Sequence, residues 1–209
     1  MHFLYNHSSS VEPRLGMEYQ LNPQQSFSLG FGIHSKVENL STYNAIVESD
    51  DGQFTTPNKE LDLAKSMHVV AGYKHQFSQN LHFKSEVYYQ HLYDVAVEND
   101  PNSPFVLNNE MDGYVNVGLV NKGTGKNYGV ELTLERFYAN HFYFLATASV
   151  YNSKFTALDG IERNSAFNGN FASNFLIGKE FPIGHSDKNR FISLNAKAAL
   201  TGGMYYTPI

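Results

Sequence analysis

The chain has 209 residues, enough for one substantial domain, and a formal net charge of −5, which argues against nucleic acid as a main partner. Charged residues make up only 17% while aromatics reach 14%, with Tyr 14, Phe 16 and Trp 0, a strand-and-turn composition poor in helix formers. Cys 0 excludes a disulfide framework and a thiolate metal site, and no run of about 18 apolar residues offers a transmembrane helix.

In chain order, Met1–Tyr5 reads as the end of a strand. It has neither the basic start nor the long apolar core of a signal peptide, so the chain is expected to be a piece of something larger. Asn6–Ser10 is a polar turn. Val11–Leu21 then alternates, with Val11, Leu15, Met17, Tyr19 and Leu21 opposite Glu12, Arg14, Gly16, Glu18 and Gln20. That period of two predicts a strand with one apolar and one polar face. Asn22–Gln25 turns, and Ser26–His34 alternates again. Glu38–Lys65 is a long polar segment with a little helix expected near Lys59–Lys65. Ser66–Phe77 and Leu81–Tyr93 are predicted strands joined by Ser78–Asn80. A second long loop covers Asp94–Lys126. Tyr128–Tyr138 alternates residue by residue, turns at Ala139–His141, and continues as Phe142–Thr156. A medium loop, Ala157–Ala166, leads to strands at Phe167–Phe181 and Arg190–Thr201.

The result is about nine strands, many of 11–15 residues, against about 5–6 in ordinary soluble sheets. Connections alternate between short and long. One rim of tight turns and one rim of long loops predict an all-β, antiparallel, up-and-down transmembrane β-barrel segment, part of a larger barrel. Tyr5, Tyr19, Phe77, Tyr93, Tyr138, Phe142, Tyr151, Phe181 and Phe191 would form interfacial girdles. The competing reading is a soluble or surface-exposed β-barrel ligand-binding module, with the apolar face turned inward.

Chemical motifs are sparse. His68, His75 and His82 are spaced by seven, which puts strand residues on opposite faces, so no metal site is expected. Gly123-Thr124-Gly125-Lys126 lacks the spacing and the following Ser/Thr of a phosphate loop and reads as the descent from a loop into a strand, where glycine permits a bulge. No nucleophile–base pair is legible, so no enzyme, catalytic residue or cofactor is expected. The long loops carry the ligand-binding candidates: Tyr43, Asn44, Asp50 and Asp51 in the first, Asn108, Asn109, Asp112 and Tyr114 in the second.

Several segments together resemble a known family. They are Glu12-Pro13-Arg14-Leu15-Gly16, Gly72–Phe77, Tyr88-Tyr89-Gln90, Asn121–Leu132, Arg163-Asn164, Phe167–Asn170 and Tyr206-Thr207-Pro208. They are similar, in order and over essentially all of residues 1–209, to the barrel of TonB-dependent outer-membrane receptors of the Bacteroidota type. The resemblance implies a 22-stranded barrel around a plug that engages TonB, with the plug and the remaining strands outside this chain. It implies energy-coupled uptake of a scarce nutrient (siderophore, cobalamin, glycan or peptide) in the outer membrane of a Gram-negative cell. Implied partners are outer-membrane lipid, the plug of the same parent chain, the TonB complex through that plug and the imported ligand. Arg14, Glu18, Glu86, Glu131, Glu135 and Asn170 would then face the lumen and the plug.

Overall fold

The structure, a computed structural model, describes residues 1–48, 51–110, 115–184 and 190–205. In chain order the elements are β1 (His2–Phe3), β2 (Ser8–Ser9), β3 (Arg14–Asn22), β4 (Gln25–Lys36), α1 (Leu40–Tyr43), β5 (Val47–Glu48), β6 (Phe54–Thr55), β7 (Ala64–Gln76), β8 (Leu81–Glu98), β9 (Leu119–Ala139), β10 (Phe142–Thr156), β11 (Glu162–Asn164), β12 (Phe171–Pro182) and β13 (Phe191–Thr201). Among the described residues, one sheet orders β3-β4-β7-β8-β9-β10-β12-β13, every neighbour antiparallel, and β11 adds a ninth strand beside β10. Sequence neighbours are spatial neighbours throughout, which is an up-and-down meander.

Expected strands form where the period of two is strong, and the differences have physical causes. Met1–Tyr5 does not join the large sheet. His2–Phe3 pairs with Ser8–Ser9, and Phe3 packs against Tyr43. The strand expected from Phe167 starts at Phe171, because Asn170 has φ +64° and breaks the extended run. The second long loop is shorter than expected. β8 runs on to Glu98 and β9 begins at Leu119, so Gly123–Lys126 lies inside a strand of 21 residues. Glycine is needed there for closeness. A Cβ on Gly123 would stand 2.4 Å from Val97 Cγ1, and one on Gly125 2.8 Å from Leu92 Cδ1. The β8–β9 register shifts on both sides of Val95: an extra residue lies on β8 between Leu92 and Val95, where Asp94 has φ +54°, and another on β9 at Lys122, beside Gly123.

The registers carry apolar residues from strand to strand without a slip. One row reads Leu15, Phe31, Val69, Tyr89 and Tyr128. Another reads Met17, Leu29, Ala71, Val87, Val130, Val150 and Phe171. This face is exposed: Leu132 is 42% and Val150 65% accessible. Among the described residues, no apolar core packs behind the sheet. Among the described residues, the buried hydrophobics lie in the long loops and the adjoining strand ends, in two clusters around Tyr43, Ala96 and Leu119 and around Val95, Val97 and Val106. An apolar face with nothing packed on it needs a nonaqueous cover. On β9 the apolar positions run from Tyr128 to Leu134 and end at Arg136. Beyond Tyr128 the same face carries Lys126, Thr124 and Lys122. With Arg136 at its boundary, Tyr128–Arg136 spans nine residues, the lower end of the roughly 9–11 that a tilted strand needs to cross a bilayer, and the rest of β9 projects past it.

The short turns share one rim: Pro23–Gln24, Phe77–Asn80, Asn140–His141 and, after β12, Ile183–Gly184. The described parts of the long connections, 37–48, 51–63, 99–110, 115–118 and 157–170, share the other. Asn140 and His141 have φ +54° and +61°, a two-residue primed turn whose twist suits the flanking strands. Asn140→Ile should therefore cost about 1–2 kcal/mol, because a β-branched residue is strained at that φ. A drop in the urea midpoint checks it, with Asn140→Gly expected to fold as well as the parent.

Three aromatics fall outside the girdles expected for them, Phe191 because it stands opposite Pro182 on the polar face, 5.3 Å from the His141 ring. Tyr5 donates to Asn44 Oδ1 (3.0 Å) and stacks near Phe3 in the loop cluster, and Tyr151 stands on the polar face opposite Gly129. At the short-turn rim, Arg136 lies over Phe142 (5.6 Å) and Lys179 over Phe181 (5.1 Å). A cation over an aromatic belongs at a headgroup boundary, where one end of the pair is wet.

Candidate functional site

The polar face is built by the residues that alternate with the apolar rows. Arg14, Glu18, Glu86, Glu131 and Glu135 share it. In adjacent registers, Glu86 stands opposite both Gly72 and Glu131, and Lys74 opposite Lys84. Like charges placed opposite each other destabilise a sheet unless each is paired elsewhere. Here Lys84 pairs with Glu86 (2.6 Å) and Lys74 reaches Glu18 (3.6 Å), which also accepts from Ser26 (3.0 Å). A hollow of about 420 Å³ lies on this face near the short turns, between Gln20, Lys74, Gln76, His82, Lys84 and Glu135. Asn170 stands apart from the ladder. Its left-handed φ puts it in the turn before β12, where its amide reaches Tyr205 at 3.5 Å.

Nearer the long loops, a second row of polar side chains crosses five strands. Arg14 Nη2 contacts His34 Nδ1 (3.2 Å), and His34 stands edge-on to His68. His68 Nε2 contacts Gln90 Nε2 (3.1 Å), and Gln90 Oε1 accepts from Asn127 Nδ2 (2.7 Å). Asn127 Oδ1 is buried with no hydrogen-bond partner among the described residues. Asn127 also lines a cavity of about 150 Å³ between β8, β9, β10 and the loops above them.

The loop candidates divide. Asn108 and Asn109 line this cavity. Asn109 Oδ1 accepts from the Ala166 amide (2.7 Å), which ties the second long loop to the third. Tyr43 is 0% accessible and packs with Leu61, Ala96, Leu107 and Leu119, so it supports the loops from inside, and burial pushes its phenol up. Asn44 bonds Leu40 O (2.8 Å) and Tyr5. Asp51 sits in the turn before β6. Asp50, Asp112 and Tyr114 lie outside the described residues.

Sequence reasoning missed Asn127 and Ser153. Above the bilayer both faces turn polar, so the alternation of Gly123, Gly125 and Asn127 against Lys122, Thr124 and Lys126 carries no apolar signal. The small residues at every second position were the available sign.

The third loop is clamped by charge. Arg163 grips both Asp159 oxygens (3.0 and 2.6 Å), and Asp159 also accepts from the Ile161 amide (3.0 Å). The Arg163 hydrogen bond holds the Asp159 carboxyl below its usual range, and Lys126 with Lys154 does the same for Glu162. A depressed carboxyl pKa stabilises above the unfolded value of about 4 and ceases to do so as pH falls through the folded value. The clamp should therefore hold at neutral pH and release in acid, below about pH 4. The Ile161 amide shift would report it, and Asp159→Asn should remove the transition.

An antiparallel meander with an exposed apolar band, a polar opposite face and loops confined to one rim is an arc of an outer-membrane-type β-barrel. The chain belongs to the family described as TonB dependent receptor-like, β-barrel, whose sequence model matches residues 3–207. The members of this family are transporters and not enzymes. Two solved structures share the fold. The FrpB iron transporter from Neisseria meningitidis (F3-3 variant) is 17% identical with a TM-score of 0.61, over 91% of this chain and 27% of its own. The ferric-catecholate import receptor Fiu from K12 E. coli, in its closed form, is 14% identical with a TM-score of 0.62, over 92% of this chain and 24% of its own. The chain thus spans about a quarter of the length of each. No curated protein matches the sequence.

Proposed function

We propose that this chain is part of an outer-membrane receptor that imports a scarce nutrient with energy delivered through TonB. The observation that carries it is the continuous apolar face with no core behind it. Family membership supplies the coupling: a plug of the same parent chain fills the lumen and engages TonB. In this reading Arg14, Glu18, Glu86, Glu131 and Glu135 face the plug, and the long loops meet the ligand outside the cell. The cargo is a siderophore, cobalamin, glycan or peptide, as in the wider family. The two solved neighbours are an iron transporter and a ferric-catecholate receptor, which keeps a ferric chelate among the candidates.

A soluble module would turn Phe27, Leu29, Phe31, Val130 and Leu132 into a closed core, and all five are at least 36% accessible. The test is fractionation of the full-length protein with heat-modifiable gel mobility, followed by uptake in cells with and without TonB. Outer-membrane recovery and TonB-dependent uptake are expected. A parent chain found soluble in the periplasm would overturn the reading.

A further inference from the structure

We propose that the outward surface at the short-turn rim holds one anionic phospholipid by its phosphate, between Arg136 and Lys179. This rests on the outer-membrane reading and is independent of cargo and of TonB. One register row runs Leu81, Arg136, Phe144 and Ile177, and the next runs Ala139, Phe142, Lys179 and Leu194. Both continue the apolar face of β9, β10 and β12. Arg136 and Lys179 are therefore cations in rows that are otherwise apolar.

Neither cation has an acidic partner. Among the described residues each has a ring contact and no hydrogen bond or ion pair, the Arg136 guanidinium 5.6 Å from the Phe142 centroid and the Lys179 ammonium 5.1 Å from that of Phe181. The carboxylates beside them in sequence belong to the polar face. Glu135 stands opposite His82 and lines the hollow there, and Glu180 lies 3.6 Å from His141. The long-loop rim differs, because Lys126 and Lys154 both pair with Glu162. The uncompensated charge is thus at the short turns, the periplasmic end of such barrels and the phospholipid leaflet.

The geometry suits one phosphate. Phe142 lies under Arg136 from β9 and opposite Lys179 on β12. The backbones of β9 and β12 are two strand spacings apart, about 10 Å, and Arg136 already leans across β10 toward Lys179. Its Nε is buried, while both terminal nitrogens reach the surface. That fork matches two phosphate oxygens, and Lys179 adds a point charge. Phe142 and Phe144, 6.0 Å apart, lead from this height into the apolar band and give the acyl chains a surface. Charge selects the headgroup. A zwitterionic lipid brings an ammonium that both cations repel, whereas a phosphatidylglycerol headgroup brings its phosphodiester alone.

The experiment uses the full-length receptor, delipidated in detergent and titrated with dioleoyl phosphatidylglycerol or dioleoyl phosphatidylethanolamine, with bound lipids counted by native mass spectrometry. The first phosphatidylglycerol should bind the parent at least tenfold more tightly than the first phosphatidylethanolamine, since each cation near an anionic lipid contributes a factor of about five. Arg136→Gln and Lys179→Gln should each weaken phosphatidylglycerol binding about fivefold, and together they should abolish the preference. Lys126→Gln, at the other rim, should retain it. Heat-modifiable mobility identifies the folded variants, and Lys179→Gln, an exposed change, serves if Arg136→Gln does not assemble. Equal affinity of the parent for the two lipids overturns the proposal, as does a preference that survives in the folded rim variants or falls with Lys126→Gln instead. A parent recovered in the outer membrane with heat-modifiable mobility but no lipid preference would leave the outer-membrane reading standing and this one refuted.

Discussion

Leu132→Arg in the full-length receptor should destabilise the barrel by about 2–4 kcal/mol, the cost of a guanidinium on the lipid face near the bilayer midplane. Leu132 sits midway along the apolar stretch of β9, opposite Ser85 on β8 and Ala148 on β10. Neither small neighbour offers a partner for the charge. At the adjacent position, Thr133→Arg places the same side chain on the polar face. There Thr133 stands opposite Lys84 and Thr147, with Glu131 and Glu135 two residues away on the same face. An arginine at 133 finds carboxylates and water, and its effect should stay within about 1 kcal/mol. Yield in the outer membrane and the urea midpoint in lipid vesicles would separate the two. Equal loss from both substitutions would mean that the faces are wrongly assigned.

Much of that assignment was legible in the sequence, because alternation is strongest where lipid demands it. Phe27, Leu29 and Phe31 on β4 and Val130, Leu132 and Leu134 on β9 mark one face in the primary structure. Burial of one face also fixes register, since a slip of one residue would turn the whole apolar set into the lumen. Ala139–His141 was equally readable, since two strong strands separated by so few residues leave room only for a tight turn. What was not readable lies above the bilayer. There β8 and β9 continue to Glu98 and from Leu119 with no apolar stripe to announce them. Their signal is instead spatial, Gly123 and Gly125 admitting Val97 and Leu92, and the partners are about thirty residues apart in sequence. The same limit applied to the loops. Tyr43 looks like an exposed aromatic in a polar segment, but long-range contacts with Ala96 and Leu119 place it inside. Asn109 earned its place beside the cavity through the Ala166 amide, a contact no local pattern encodes.

Expressed alone and placed in buffer without detergent, residues 1–209 should associate into polydisperse oligomers. The cause is geometric. β3 and β13 terminate the sheet, over nine and eleven residues, and every residue in both strands is exposed. Each strand leaves one side of its backbone without a ladder partner, a template for pairing with another copy. In water those groups can bond solvent, but the apolar face cannot, so the two demands conflict. Detergent covers the face and worsens the edges. Each unsatisfied backbone group in hydrocarbon costs several kcal/mol, so two such edges amount to tens of kcal/mol. Only strand-to-strand closure meets both demands, with the rest of the parent barrel or with further copies. Light scattering should therefore show association in buffer and small oligomers, not monomers, in detergent. Co-expression with the remaining barrel strands should suppress both. A monodisperse monomer in plain buffer would mean that the apolar face has found cover within the chain, and the membrane-spanning arc would have to be abandoned.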